Sequence, residues 1–227
     1  MLTPRKHPRQ QRSRETVAAI LEAAAQLFQR HGYSQTTTNK VAERAGVSIG
    51  SLYQYFPNKD ALLVALAEHY LAEADARISE VFAHAAEQRP EQPCAQRSGR
   101  RPVQCADLRL LLDELIRCVA DLHTDRPGLH RLLFDQAPRT PELVDRFRQA
   151  ERRIAAALAG ELRRLGAGGP DPQVSALLAV QGIEAQIHGV LLDSDARDTL
   201  RAIVDLWHRA LDQPLTAGKS RTSPLMA

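Results

Sequence analysis

Asn39, Ser51 and Gln54 are polar side chains that both donate and accept hydrogen bonds, and they stand on two short helix-forming runs separated by a single turn. Amide side chains can pair bidentately with adenine, and a hydroxyl can bond to any base edge. The branched Ile49 beside them suits a thymine methyl. These four are the expected base readers. Around them lie groups suited to phosphate oxygens, namely the hydroxyls of Thr38, Ser48, Tyr53 and Tyr55 and the ammonium of Lys59. Gly50 lacks a side chain and lets the backbone approach DNA. Arg44 is a weaker candidate, expected to be a surface charge. Tyr53 has two compatible readings: its ring packs on the core while its hydroxyl reaches outward.

The elements that position these groups are legible from residue 36 to residue 56. A threonine cluster, Thr36-Thr37-Thr38, offers a hydroxyl to the orphan N–H groups of a helix start. Val41, Ala42 and Ala45 share one face of that helix. Gly46 supplies the tight backbone of a turn, Val47 plugs the corner, and Ser48 caps the next helix. Leu52 and Phe56 are four apart and point inward together. This pattern is a helix-turn-helix with its second helix, about 48–55, offered to a DNA groove. A preceding amphipathic helix from Ser13 to about His31 presents Val17, Ile20, Leu21, Ala24, Leu27 and Phe28, and Gly32 ends it. Pro57 stops the recognition helix and Asn58 caps a long fourth helix over about 59–88. Lys59 in that helix's first turn opposes the helix dipole, which suggests a phosphate there.

Charge agrees with this reading. Residues 1–60 carry nine Lys/Arg against four acids, leaving 21 against 23 for the remainder of the 227-residue chain. A basic head on a near-neutral body fits a polyanion-binding module joined to another function. Residues 1–12 are basic, contain Pro4 and Pro8, and are expected to be a flexible arm.

The run Gly32-Tyr33, Thr36-Thr37, Val41-Ala42-x-x-Ala45-Gly46-Val47-Ser48-x-Gly50-x-Leu52-Tyr53-x-Tyr55-Phe56-x-x-Lys59-x-x-Leu62 resembles the N-terminal DNA-binding domain of the TetR family of bacterial transcriptional regulators. The resemblance covers residues 13 to about 65. It implies an all-helical, Ω-like homodimer whose C-terminal domain binds a small ligand and thereby changes the spacing of two DNA-reading heads. It also implies that the last two helices pair with their copies as a four-helix bundle.

The rest of the chain is read from its own periodicity. Aromatics are 4 % of the chain, and no stretch alternates apolar and polar residues convincingly, so the fold class is all-α. The expected division is a DNA-binding domain over 13–60 and a helical ligand-binding and dimerisation domain over 61–213, with 214–227 a flexible tail. Residues 88–103 are proline-rich and polar and read as a loop. Helices follow over about 105–123, from Pro127, to about Leu165, over 172–192 and over 196–211, broken at Gly166-Ala167-Gly168-Gly169-Pro170. Inward positions include Phe147, Val174, Leu178 and Leu206, while Glu161 falls on a solvated face. Ala176, Ala179 and Gly182 would let helices approach closely, either across a dimer or within one chain.

A small-molecule site combines apolar walls with a few polar groups. Leu112, Ile116, Val119, Leu133, Phe134 and Phe147 are the candidate walls, and His123, Gln181, Glu184 and His188 the candidate polar groups. Aromatics are few, which argues against a cationic multidrug-type ligand. No cofactor is indicated and no metal, the histidines being scattered. Cys94, Cys105 and Cys118 have no metal spacing. Cys118 reads as core, while Cys94 and Cys105 flank the loop. No apolar run approaches a membrane span and no signal-peptide core follows Met1, so a cytoplasmic protein is expected. Motifs of metalloprotease, phosphate-loop and nucleophile chemistry are absent, so no enzyme is expected.

The function expected is a sequence-specific DNA-binding regulator, a repressor that a small molecule releases from a near-palindromic double-stranded operator. The alternatives are a ligand-responsive activator, or a helical small-molecule-binding protein with an accessory DNA-binding head. A protein-docking role for the helix-turn-helix fits less well, because such a face would be more apolar.

Overall fold

The computed structural model describes residues 11–87, 102–190 and 196–214. The expected arm, most of the 88–103 loop, Cys94, the side chains of Cys105 and Phe134, and nearly all of the C-terminal tail lie outside the described residues. Among those described there is no strand. The helices are α1 (Gln11–Gln35), α2 (Thr38–Arg44), α3 (Ile49–Tyr55), α4 (Lys59–Glu87), α5 (Pro102–Thr124), α6 (Pro127–Gln136), α7 (Pro141–Leu165), α8 (Pro172–Val190) and α9 (Ala196–Leu211). No helix among them is long and apolar enough to cross a membrane.

Two compact units form. The first holds the described residues of Met1–Ala76 together with Asp121–Ala150. Its core joins Ile20, Ala24 and Phe28 of α1 to Val41, Leu52 and Phe56 of the helix-turn-helix and to Leu62, Leu63 and Leu66 of α4. Leu129, Leu132 and Leu133 of α6 and Leu143 of α7 complete it. The first core therefore continues past residue 60. The start of α4 is too apolar to end a domain, and α1 needs α6 as a cover. Within α1 the helical backbone is interrupted at Gly32 (φ 72°, ψ 175°), close to the expected end at His31.

The second unit holds the described residues of Arg77–Ala120 and Glu151–Ala227. Leu108, Leu112 and Ile116 of α5 pack with Leu158 and Leu162 of α7, Ile183 and Ile187 of α8, and Ile203, Val204 and Leu211 of α9. Cys118 is half-buried against this cluster. The glycine-rich breaker is tied down, since the Gly168 and Gly169 amides donate to the carbonyls of Leu211 (2.8 Å) and Gln213 (3.0 Å). Glu161 is not solvated as expected. It is buried and accepts from Arg164 Nε at 2.7 Å, an ion pair whose arginine stays exposed.

Several apolar residues expected inward are exposed instead: Phe147 on α7, Val174 and Leu178 on α8, and Leu206 on α9. The N-terminal half of α8 has apolar residues on more than one side, and the helix buries Ala176, Ala179, Ile183 and Ile187. Periodicity cannot choose a face on such a helix.

Candidate nucleic-acid interface

The helix-turn-helix is built by caps and one glycine. The Thr37 hydroxyl accepts from the Lys40 amide at 3.3 Å and starts α2. The chain then turns at Gly46 with φ 66°, a conformation that side chains resist. The Gly46 and Val47 amides donate to the Glu43 carbonyl (3.1 Å) and the Ala42 carbonyl (3.0 Å) and close the turn. Ser48 caps α3 by accepting from the Ser51 amide at 3.0 Å, and its hydroxyl lies 2.8 Å from that of Ser51.

One face of α3 is spent on the core by burying Leu52, Tyr55 and the following Phe56. The opposite face is polar or small apart from Ile49, with Ile49, Gly50, Tyr53 and Gln54 exposed and Ser51 half-buried. Asn39 is exposed on α2. The Tyr53 hydroxyl lies 3.0 Å from that of Thr38, so the two helices present hydroxyls side by side. Tyr53 is 41 % exposed, and its ring does not join the core. Ile49, at 38 %, is a large apolar side chain turned to solvent, as a base-edge contact requires.

Two residues, Tyr55 and Lys59, differ from expectation, while Arg44 is the exposed surface charge expected. Tyr55 was expected at phosphate, but it is 7 % exposed and packs in the core, because it lies three residues after Leu52 on the buried face. Lys59 donates to the carbonyls of Tyr33 (2.7 Å) and Thr36 (3.0 Å) and stands 3.9 Å from the Tyr33 ring centroid. These backbone oxygens and the ring face account for a cation at a helix start without a phosphate. Arg44 Nε donates to Gln26 Oε1 at 2.8 Å, which holds it against α1.

Tyr33, on the other side of Lys59, donates its hydroxyl to Asp60. Lys59, Tyr33 and Asp60 thus fasten the end of α1 to the start of α4, and Asn58 Oδ1 accepts from the Ala61 amide at 2.8 Å to cap that start. Sequence reading missed this fastening. The partners are 26 and 27 residues apart, and no periodicity links them. Burial, and after it the hydrogen bond to Asp60 and that group's charge, push the Tyr33 hydroxyl up to about 12. A raised pKa means that the folded state keeps the proton. The associated stability is complete below the ordinary value of about 10 and is lost as pH rises toward 12. Stability should therefore fall more steeply over that window in the wild type than in Tyr33→Phe, as read by chemical denaturation. Parallel curves would refute this.

The candidate effector residues divide between the units. Leu112, Ile116 and Val119 are buried in the second core, and Leu133 is buried in the first. Phe147 is an exposed side chain of the first unit rather than a wall. Gln181, Glu184 and His188 fall on α8, with Gln181 and Glu184 exposed and His188 half-buried. The histidines are not all scattered: the His123 and His130 rings lie with centroids 3.9 Å apart, tilted by 50°, and His123 is 7 % exposed. The break between α5 and α6 brings them together.

Comparison with known proteins gives the same picture. Residues 20–66 match the model of the bacterial regulatory proteins of the tetR family, and residues 107–211 match a tetracyclin repressor-like C-terminal domain. Over 54 residues the chain is 50 % identical to the class A tetracycline repressor protein from transposon 1721 of Escherichia coli, covering 24 % of this chain and 25 % of that one. It is 34 % identical over 61 residues to the fatty acid metabolism regulator protein of Bacillus subtilis, covering 27 % and 31 %. The chain spans only about a fifth to two-fifths of the curated relatives it matches. Among solved structures, SmeT, the repressor of the Stenotrophomonas maltophilia multidrug efflux pump SmeDEF, superposes with a TM-score of 0.56 at 22 % identity. That match covers 93 % of this chain and 100 % of SmeT, a likeness of fold. With both family models in chain order over about two thirds of its length, and a capped helix-turn-helix within the first, the chain belongs to the TetR family of bacterial regulatory proteins.

Proposed function

We propose that the protein is a cytoplasmic, sequence-specific DNA-binding regulator that acts as a homodimeric repressor and leaves its operator when a small molecule binds its second unit. The observation that carries this reading is the exposed face of α3. A helix that buries Leu52 and Tyr55 and presents Ile49, Gly50, Tyr53 and Gln54 has the composition of a groove reader. Asn39, Ile49, Ser51 and Gln54 read bases. Thr38, Ser48 and Tyr53 contact phosphate, and Lys59 acts by holding the head in shape. Two such helices about 34–36 Å apart would read successive major grooves and require a near-palindromic site.

Gln54→Ala tests the base-reading assignment. It should weaken operator binding by about 1–3 kcal/mol, roughly 5- to 150-fold, and leave random-sequence DNA nearly unaffected. Titration of both DNAs with both proteins measures this. Equal loss on the two DNAs, or none on either, would remove Gln54 from base reading.

A homodimer is supported by the exposed Val174 and Leu178 on α8 and Leu206 on α9, helices that pack together within the second unit. Val174 and Leu178 are four apart on one exposed side of α8, and such a pair calls for a cover. The small residues Ala176, Ala179 and Gly182 do not supply that surface. The alanines are buried in their own core, and Gly182 lies against Trp207. Release by a small molecule is supported by the family's C-terminal model and by a neighbour of the same fold, SmeT, solved in complex with triclosan (TM-score 0.57, 21 % identity).

A further inference from the structure

We propose that His123 and His130 hold a borderline transition-metal cation, with Tyr70 as the residue that orients the second imidazole. All three belong to the first unit, and the site is independent of the DNA-reading face.

The inference rests on a hydrogen-bond chain that fixes a tautomer. A tyrosine hydroxyl has one proton, and that of Tyr70 is donated to the Leu122 carbonyl. The same oxygen lies 3.0 Å from Nδ1 of His130 and must therefore accept, so His130 carries its proton on Nδ1. Its Nε2 then holds the lone pair. A metal-ligating histidine typically donates its other ring N–H to an oxygen that sets ring orientation and raises ligand basicity. The Tyr70 ring, 5.3 Å from the His130 ring between centroids, backs this arrangement.

The second imidazole is already at hand. The His123 and His130 rings are 3.9 Å apart between centroids and tilted by 50°, and a ring nitrogen of one lies within 4.8 Å of a ring nitrogen of the other. Two nitrogens on one tetrahedral ion, each about 2.0–2.1 Å from it, stand roughly 3.4 Å apart. Small rotations of the rings would close the remaining gap. Leu122 and His123 are consecutive, so the carbonyl that fixes the His130 tautomer also anchors the backbone that carries His123. Imidazole pairs suit Zn²⁺, Co²⁺, Ni²⁺ and Cu²⁺ rather than Mg²⁺ or Ca²⁺.

The test uses the full-length chain without an affinity tag, titrated with Co²⁺ alone and followed by visible absorption, with Zn²⁺ as competitor. One ion per chain is expected, displaced by Zn²⁺ and not by Mg²⁺. His130→Gln, at a half-buried position, should weaken binding by at least tenfold, and Tyr70→Phe by about 10- to 100-fold through loss of the orienting bond. Nitrogen-15 shifts of the metal-free protein should show His130 protonated on Nδ1, a measurement that does not depend on any variant folding. Absence of Co²⁺ binding, binding unchanged in His130→Gln, or a proton on Nε2 of His130 would each overturn the proposal.

Discussion

Raising the salt concentration from about 50 to about 200 mM should weaken operator binding by roughly 10³- to 10⁵-fold. The reason lies in which groups on the head carry charge. The hydroxyls of Thr38, Ser48 and Tyr53 position the head but displace no counterions, so they add nothing to the salt slope. The slope comes from cations near phosphate, and the described head offers Arg12, Arg14, Arg30, Lys40 and Arg44, Lys59 being held inside the head. If each of two heads places about three to five of them on the backbone, some 6–10 phosphates are neutralised per dimer, which gives the stated range. Lys40 separates this account from a neutral one. It is exposed in the first turn of α2, and its ammonium donates to the Gln35 carbonyl at 3.0 Å, a bond at the surface that phosphate can displace. Lys40→Gln should reduce the slope by about one per head and weaken specific and random DNA alike. A slope near zero in the wild type would mean that the head does not dock on a phosphate backbone.

The contrast between Lys40 and Lys59 marks the limit of what the sequence discloses. Thr37, Gly46, Ser48, Leu52 and Pro57 act on their own neighbours in the chain. Each states a cap, a turn, a buried face or a stop without knowledge of anything distant. The helix-turn-helix could be read for that reason, to within a residue or two at each end. Lys59 is governed by Tyr33 and Thr36, more than twenty residues earlier, and its use inside the head has no local signature. Tyr53 and Tyr55 illustrate the same boundary at short range. They are alike in type and two apart, yet a helix turns by about 200° between them, so one is exposed and the other buried.

In the second unit legibility fell further. Helix positions survived, because α5, α7 and α9 have broad apolar faces and prolines or glycines mark the ends of α5 and α7. Their roles did not survive in the same way. Leu112, Ile116 and Val119 are marked in the sequence by apolarity alone, and apolarity does not distinguish a pocket wall from a core. His123 and His130 are separated by the break at residues 125–126, so neither shares a helix face with the other. Val174 and Leu178 stand among Leu177 and Val180, so apolar spacing alone does not tell which side of α8 faces inward. Only the packing of Ala176 and Ala179 against the unit's own core decides which side remains outward.

Gly182 shows how specific that packing is, and its replacement should have the largest effect on stability of any single methyl added to the second unit. A Cβ there would stand 2.3 Å from Cζ2 and 2.9 Å from Cη2 of Trp207, far inside contact distance. The indole cannot easily withdraw, because its Nε1 donates to Gln186 Oε1 at 2.9 Å on the same helix as Gly182. Gly182→Ala must therefore break that bond, rotate a bicyclic ring or part α8 from α9. Overpacking of this kind costs about 1–3 kcal/mol, and the better helix propensity of alanine returns at most about 1 kcal/mol. A net loss near 1–2 kcal/mol corresponds to a Tm lower by about 2–8 °C for a chain of this size, compared at equal protein concentration. Gly182→Val should lose more, since branching adds volume on the same side and forfeits the propensity gain. Trp207 is the only tryptophan in the sequence, so its emission reports the site directly. The spectrum should shift in Gly182→Ala and change similarly in Gln186→Leu, which removes the anchor while leaving the glycine. If Gly182→Ala instead raised the Tm and left the emission unchanged, the close approach of α8 to the indole would be wrong, and the small residues of α8 would again be available to a partner helix.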